Sequence, residues 1–359
     1  MAQLEFAIWD GFYERHMATA PTADLLEQHL REAALADEIG YHSYFVIEHQ
    51  NSYISHITSP SVYLAAVAQR TERLRVGAML YVLPFHNPIR LAQEVALLDQ
   101  LSRGRVEFGT GIGVHEHEFI RWNLPFYERQ AMASEALEII LKAWTEELVT
   151  YEGKYWRFNE AVPIPRPYQQ PYPPVWVGAH SPASLEYAAK HNFHVAQNID
   201  VDSVVAEKFQ LYRQVWQQCD HPGPMPRLFL MRFVHVAPTD AQAEAEAKDH
   251  LVRGGIAGGG EWLKQTRVGF KGVQETSTNR EIQRVFQGMS HSYEFWIDNG
   301  LALVGSPDTV IQKIQAQQQY VGYDLLCTNH RFGELPTEQV VSSLTLFGRE
   351  VIPAFRARP

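Results

Sequence analysis

Residues 84–113 read PFHNPIRLAQEVALLDQLSRGRVEFGTGIG, and this stretch decides the fold. A proline-containing turn leads into a helical pattern, for which Pro88 suits the first position, and the helix is followed by a short strand. The strand ends in the alternate glycines Gly109, Gly111 and Gly113. Such a change from helical to strand periodicity is typical of one unit of an alternating α/β protein.

The same alternation of strand and helix continues along the chain. We predict strands within eight segments: 4–9, 43–47, 74–83, 105–111, 174–178, 193–198, 227–236 and 323–328. A hairpin is predicted within residues 148–158. Because alternating strands and helices require right-handed parallel crossovers, eight units favour a closed barrel over an open doubly wound sheet. The predicted fold is therefore α/β, a single (β/α)8 TIM barrel with insertions.

Composition and charge restrict the class of partner. The 359 residues are 45% hydrophobic and 20% charged, which is typical of a globular protein with a large core. A formal net charge of -10 without a basic run argues against a nucleic-acid surface. No apolar run reaches the roughly 18 residues that a membrane span needs, and the start lacks a signal-peptide pattern. We expect a cytoplasmic protein with a small-molecule partner and no membrane contact. Cys219 and Cys327 are expected to be core thiols.

Polar residues follow several predicted strands at their carboxyl ends, where a barrel of this type carries its chemistry. The second strand runs into Glu48 and His49, and the fifth into His180, Ser181 and Ser184. The two serines around Pro182 have two open explanations. They either cap the following helix or, with its first-turn amides and His180, form a phosphate site, since no acidic residue precedes Glu186.

The glycines of the fourth strand also have two open explanations. The motif GTGIG lacks the full G-x-G-x-x-G spacing, so a dinucleotide fingerprint is not predicted. Glycine at position 111 either relieves crowding inside the barrel or lets a flat ligand approach the strand backbone.

Five segments resemble the bacterial luciferase-like family of flavin-dependent monooxygenases, and the similarity extends over essentially the whole chain. These segments are VLPFHNPIRLAQEVALLDQLSRGRVEFGTGIG (82–113), FVIEHQ (45–50), VWVGAHSPASLEYAAKH (175–191), LVGSPDTVIQKIQ (303–315) and SLTLFGREVIPAF (343–355). The resemblance implies a TIM barrel that binds reduced FMN at the carboxyl ends of its strands. It also implies that a separate NAD(P)H:flavin reductase supplies the flavin.

The resemblance assigns roles to residues at the strand ends. His49 matches the family's catalytic histidine, which follows a glutamate at the position of Glu48. Histidine and the two serines at positions 180, 181 and 184 match the flavin-phosphate segment. Met79 and Leu80 lie where luciferase has a non-proline cis peptide beneath the flavin ring, and Gly111 is expected to face the same ring. One departure is plain, because luciferase has a phosphate-binding arginine where this chain has Ile112.

The implied activity is oxygenation of a small, largely apolar substrate, an aldehyde, ketone or hydrocarbon, with reduced FMN and O2 by way of a hydroperoxyflavin. Trp9, Phe12 and His115 are expected to line the substrate pocket, although the two aromatics are equally consistent with a packed barrel rim. We also expect a homodimer.

Three other functions remain open. A metal-dependent barrel hydrolase is suggested by His115, Glu116, His117 and Glu118 with His49 near them. The same barrel also suits a deazaflavin-dependent hydride-transfer enzyme, or a flavin-binding protein without catalytic activity.

The segment at about 254–281 is rich in glycine yet contains Trp262 and Phe270. We expect a mobile lid that excludes water from the flavin, as the long mobile loop of luciferase implies. An insertion that packs permanently against the barrel or a second subunit is the alternative.

Overall fold

Eight parallel strands close into a barrel, which confirms the predicted TIM barrel. The computed structural model describes residues 3–12, 20–51, 55–254 and 277–356. The first strand pairs with the second and with the last, and the sixth barrel strand pairs with the seventh to complete the closure. The barrel strands are β1 (Glu5–Asp10), β2 (Ser43–Val46), β3 (Arg75–Val82), β4 (Val106–Gly111), β7 (Val175–Gly178), β8 (His194–Gln197), β9 (Leu228–Val236) and β11 (Leu325–Asn329). The predicted hairpin is also present, as β5 (Val149–Glu152) and β6 (Arg157–Ala161).

Helices follow the strands and cover the outside of the barrel. They are α1 (Thr22–Ile39), α2 (Pro60–Arg70), α3 (Pro88–Ser102), α4 (Glu116–Arg121), α5 (Arg129–Thr145), α6 (Pro182–Lys190), α7 (Asp202–Gln217), α8 (Asp240–Gly254), α9 (Ser277–His291), α10 (Tyr293–Asp298), α11 (Pro307–Val321) and α12 (Thr337–Leu346). Pro88 occupies the first turn of α3 as predicted, behind an Asn87 side chain that accepts a hydrogen bond from the Arg90 amide at 3.1 Å. Among the described residues, no helix is long and apolar enough to cross a lipid bilayer.

A further parallel strand, β10 (Ala302–Gly305), was not predicted. It pairs with the second half of β9, whereas the first half of β9 pairs with β8 and β11. Four residues are too few for a clear periodicity, so the pattern of residues 302–305 does not distinguish a strand from a helix end.

Alternate side chains of the strands face two separate cores. Ala7 and Trp9 of β1 lie in the interior of the barrel, whereas Phe6 and Ile8 pack between the sheet and the helices. Cys327 is buried inside the barrel, as predicted. The same prediction was wrong for Cys219, which is only half-buried after α7.

Charged and aromatic residues close the amino-terminal end of the barrel. The carboxylate of Glu107 pairs with Arg75 and accepts a hydrogen bond from Nε1 of Trp176 at 2.6 Å. His194 stacks on Trp176 with ring centroids 4.5 Å apart, and its Nδ1 accepts the amide of Arg227 at 2.8 Å. Burial lowers the pKa of His194 to about 4, so its ring is neutral at neutral pH.

The predicted lid at about 254–281 lies largely outside the described residues. Gly254 is the last residue of α8, and Ser277 is the first of α9. The lid function therefore stays a prediction.

Candidate active site

His49 lies at the carboxyl end of the barrel and forms a hydrogen-bonded pair with Glu118. It follows β2 by three residues, while Glu118 belongs to α4 after β4. Nδ1 of His49 donates to Oε1 of Glu118 at 2.9 Å, and the glutamate side chain is only 1% exposed against 19% for the histidine. A carboxylate bonded to Nδ1 fixes the orientation of an imidazole and directs Nε2 outward. In this arrangement Nε2 can exchange a proton, and the catalytic role of His49 stays a prediction.

Two further histidines, His115 and His117, lie near His49 at the rim of the barrel. The ring centroid of His115 lies 5.2 Å from that of His49 and 5.5 Å from that of His117. Burial, with the charges of His49 and His117, lowers the pKa of His115 well below its usual value. Burial also lowers the pKa of His117, although Glu118 opposes this effect. The structure thus brings neutral imidazoles beside His49, while the contact of His115 with a substrate stays a prediction.

The His-Glu-His-Glu motif is not arranged as a metal site. Across the described ranges, no group of three or more His, Cys, Asp or Glu side chains is placed to hold a metal ion. Glu118 is used by His49, and neither ring nitrogen of the buried His117 has a hydrogen-bond partner within the described structure. The geometry gives no support to the metal-dependent hydrolase.

Glu48 is occupied by the protein. Oε2 accepts the amide of Val82 at 2.7 Å, Oε1 accepts Nε2 of Gln50 at 2.7 Å, and Nε2 of His86 lies 2.9–3.0 Å from both oxygens. Burial alone would lower the pKa of His86, but the charge and hydrogen bond of Glu48 outweigh it and raise the pKa. Because four donor contacts use the capacity of a carboxylate, Glu48 ties the end of β2 to the end of β3. These contacts leave no acceptor position of Glu48 for a cofactor, and its predicted role in cofactor binding stays a prediction.

The third strand is irregular at the predicted position. The Met79–Leu80 peptide bond is cis, as the resemblance implies. The pairing of β3 with β4 shifts between Ala78 and Tyr81, and the Leu80 side chain lies where a Cβ at Gly111 would be. The crowding explanation therefore accounts for the glycine at position 111. Contact of Met79, Leu80 and Gly111 with a cofactor remains a prediction.

The start of α6 shows the capping explanation of its serines. Oγ of Ser181 accepts the amide of Ser184 at 3.3 Å, and Oγ of Ser184 accepts the amide of Ser181 at 3.0 Å, so the two form a reciprocal cap. The first turn contains no acidic residue, and the positive end of the helix dipole points to the rim. The cap uses the amides of Ser181 and Ser184, so it is the helix dipole rather than these two donors that favours a phosphate here. Ile112 supplies no charge in place of the arginine of luciferase, and the phosphate site stays a prediction.

His180, which precedes this cap, belongs to an ionic chain that the sequence did not reveal. Its Nδ1 lies 3.5 Å from Oδ2 of Asp200, which pairs with Nζ of Lys208 at 2.6 Å. Burial would raise the pKa of Asp200, but the hydrogen bond from His180 and the charge of Lys208 outweigh it and lower the pKa. The buried carboxylate thus holds a half-exposed imidazole at the start of α6.

Of the two aromatics predicted for the pocket, only Trp9 faces the barrel interior. Phe12 is fully buried outside the barrel, stacked on His29 with ring centroids 4.2 Å apart and packed edge-on against Tyr63 at 4.8 Å. Its side chain therefore belongs to the outer core, and this position gives no support to the predicted pocket role. A positive φ of 48° at Phe12 marks a left-handed residue directly after β1.

A closed parallel barrel with a carboxylate-bound histidine at its carboxyl end is the arrangement of a TIM-barrel enzyme. The sequence model of the luciferase-like monooxygenases matches residues 4–324. The chain belongs to this family.

Relatives and solved structures extend the comparison. The chain is 26% identical to the oxygenase component of a flavin-dependent trigonelline monooxygenase from Acinetobacter baylyi, over 92% of this chain and 90% of that protein. It is 25% identical to a limonene 1,2-monooxygenase from Rhodococcus erythropolis, over 95% and 84% respectively. The FMN-bound oxygenating constituent of 3,6-diketocamphane monooxygenase from Pseudomonas putida shares the fold, with a TM-score of 0.81 at 22% identity over 98% of each chain.

Proposed function

We propose that the protein is the oxygenase of a two-component, FMN-dependent monooxygenase that oxygenates a small, largely apolar organic substrate. Reduced FMN, when bound, supplies the electrons for the activation of O2. The proposal includes a separate NAD(P)H:flavin reductase, because the relative from Acinetobacter baylyi is named as an oxygenase component. A homodimer is also part of the proposal.

The residues present fit the parts of FMN. The helix start at Ser181 and Ser184, with His180 beside it, would hold the phosphate, and the irregular segment at Met79 and Leu80 would support the ring. Their elements, β3 and β7, are both neighbours of β4 in the barrel wall. A single ligand lying across these strands would therefore reach both.

The observation that carries the proposal is the pairing of His49 with Glu118 at the barrel mouth. Nε2 of His49 can accept a proton while Glu118 balances the positive charge that develops on the ring. His49 acts as the acid or base, and Glu118 orients it. The buried apolar interior below the pair limits access of water.

The test titrates the protein with reduced FMN without oxygen, then admits O2 and follows substrate oxidation with a flavin reductase present. We expect His49→Ala to retain FMN binding and lose roughly 10²–10⁴-fold in turnover, the range for a lost acid or base. His191→Ala is the control, because this exposed histidine lies at the far end of α6.

Full activity of His49→Ala would remove the catalytic assignment. Tight binding of a reduced deazaflavin with no affinity for FMN would instead support hydride transfer. Binding of FMN with no consumption of oxygen, whatever the substrate, would identify a flavin-binding protein without catalytic activity.

A further inference from the structure

Two buried N–H donors on adjacent strands of the barrel have no acceptor in the part of the chain that the structure describes. They are Nε1 of Trp9 and Nδ2 of Asn329. Trp9 is 8% exposed and Asn329 is 0% exposed. Leaving such a buried donor unsatisfied is destabilising, so two of them on adjacent strands call for a common explanation.

The two residues occupy opposed positions. β1 and β11 run parallel with Ala7 opposite Cys327 and Ile8 opposite Thr328, so the next pair in this register is Trp9 with Asn329. Ala7 and Cys327 belong to the interior core, and side chains two residues apart on a strand share a face. Both donors therefore project into the barrel from neighbouring strands, which lie roughly 5 Å apart.

The orientation of the Asn329 amide is fixed by its other contact. Oδ1 accepts the backbone amide of Arg331 at 3.0 Å. Exchanging the oxygen and nitrogen of the side chain would place two donors against each other, so Nδ2 is the atom without a partner.

The apolar surroundings of the two donors favour a neutral acceptor over a charged one. Trp9 packs near Phe229, with ring centroids 6.5 Å apart, and Phe45 and Met231 belong to the same apolar core. A carboxylate placed there would lose its hydration, and the neighbouring cation Arg331 is already paired with Glu32. A neutral oxygen offers two lone pairs to two N–H groups.

Trp9 and Asn329 also lie on strands separate from those of the proposed flavin residues. Trp9 is opposite Phe45 of β2, the strand that leads to His49, so β2 separates β11 and β1 from β3, β4 and β7. The flavin residues of the proposed function are on the latter strands. Along the barrel wall, the strand that leads to His49 therefore lies between the two donors and the strands of the proposed flavin residues.

We propose that Trp9 and Asn329 form a subsite for a neutral carbonyl oxygen, and that the substrate is an aldehyde or ketone rather than a hydrocarbon. This inference rests on the proposed function, because it specifies the substrate class of the same site. Two donors on one oxygen bind the carbonyl in a single orientation and polarise its carbon.

The experiment compares ketones with hydrocarbons of the same shape, on protein labelled with ¹⁵N at its eight tryptophans. Cyclohexanone is paired with methylenecyclohexane, and 2-heptanone with 2-methyl-1-heptene. The indole N–H resonance of Trp9 is identified by its loss in Trp9→Phe. We expect a saturable downfield shift of this one resonance with a ketone and none with its hydrocarbon counterpart.

Calorimetry then measures the affinity of the unaltered protein and of the variants for the ketones. Trp9→Phe should weaken ketone binding by about 3- to 10-fold, the effect of one neutral hydrogen bond. Trp216→Phe is the matched control, because its Nε1 bonds Asn192 at 2.8 Å beside α7. The ligand comparison uses the unaltered protein, so poor folding of Trp9→Phe would remove only the assignment of the responding resonance. The difference between ketone and hydrocarbon would still be measured.

Equal responses to ketone and hydrocarbon, or no indole resonance that responds to either ketone, would overturn the subsite. A response to carboxylates alone would overturn the neutral carbonyl. Binding of reduced FMN is measured separately on the same preparation. If FMN fails to bind while the ketone shift persists, the monooxygenase proposal fails and the carbonyl subsite stands.

Discussion

Acidification should weaken the fold through His194 at the closed end of the barrel. Its Nδ1 must be unprotonated to accept the amide of Arg227, and burial holds its pKa at about 4 against 6.5 in an unfolded chain. Because the folded pKa is the lower one, the contribution of neutral His194 is complete above about pH 6.5 and is lost as the pH falls toward 4.

The size of this loss in stability follows from the difference between the folded and unfolded pKa values of His194. Each pH unit below 6.5 costs about 1.4 kcal/mol until the folded pKa is reached. Between pH 7.5 and pH 5 the loss from His194 is therefore at most about 2 kcal/mol of the free energy of unfolding. His194→Asn keeps an acceptor near the position of Nδ1 and cannot titrate, so its stability should vary less with pH by this amount.

The assay is urea denaturation of both proteins at pH 7.5 and pH 5, followed by circular dichroism. His42 also has its pKa lowered to about 4 by burial, with help from Arg227, and remains in both proteins, so the difference between them reports His194 alone. His191→Asn, at an exposed position, is the control. If His194→Asn and the unaltered protein lost the same free energy over this range, the assignment of a neutral, acceptor-bonded His194 would be refuted.

Other predictions concern the candidate site. Glu118→Gln keeps a hydrogen-bonding oxygen but removes the charge beside His49, so turnover should fall by about 10-fold with a displaced pH–rate profile; an unchanged profile would argue that Glu118 only packs. Replacing both Ser181 and Ser184 with Asp should weaken binding of FMN far more than that of riboflavin, and equal losses in calorimetry would place the phosphate elsewhere. Phe12→Leu should lower the free energy of unfolding by about 0.5–3 kcal/mol with FMN affinity unchanged, whereas a selective loss of FMN affinity would return Phe12 to the pocket.

The alternation of strand and helix was enough to predict the barrel, because each barrel strand is short, apolar and followed by a helical pattern. The same reasoning located His49, since a polar residue directly after a strand lies at the catalytic end of such a barrel. It missed β10, whose four residues carry no readable period.

The differences at the strand ends have one origin, which is that position along a strand end does not specify the direction of a side chain in space. Phe12 follows β1 closely, yet a backbone turn directs it away from the barrel interior. The sequence groups Glu118 with its neighbours in a metal motif, whereas its hydrogen-bond partner is His49, 69 residues away. No local sequence pattern encodes a contact between residues that are so far apart along the chain.

The pairing of β1 with β11 has a consequence for synthesis on the ribosome. Glu5 of β1 is aligned with Leu325 of β11, so one edge of β1 stays unpaired until most of the chain has been translated. At roughly 5–20 residues per second, this interval lasts on the order of tens of seconds. An unpaired strand edge of this kind is a template for aggregation, which makes the nascent chain a candidate client for chaperones. The wall that carries Trp9 and Asn329 is the last to be assembled, so binding of a ketone at this wall would report that translation and closure are complete.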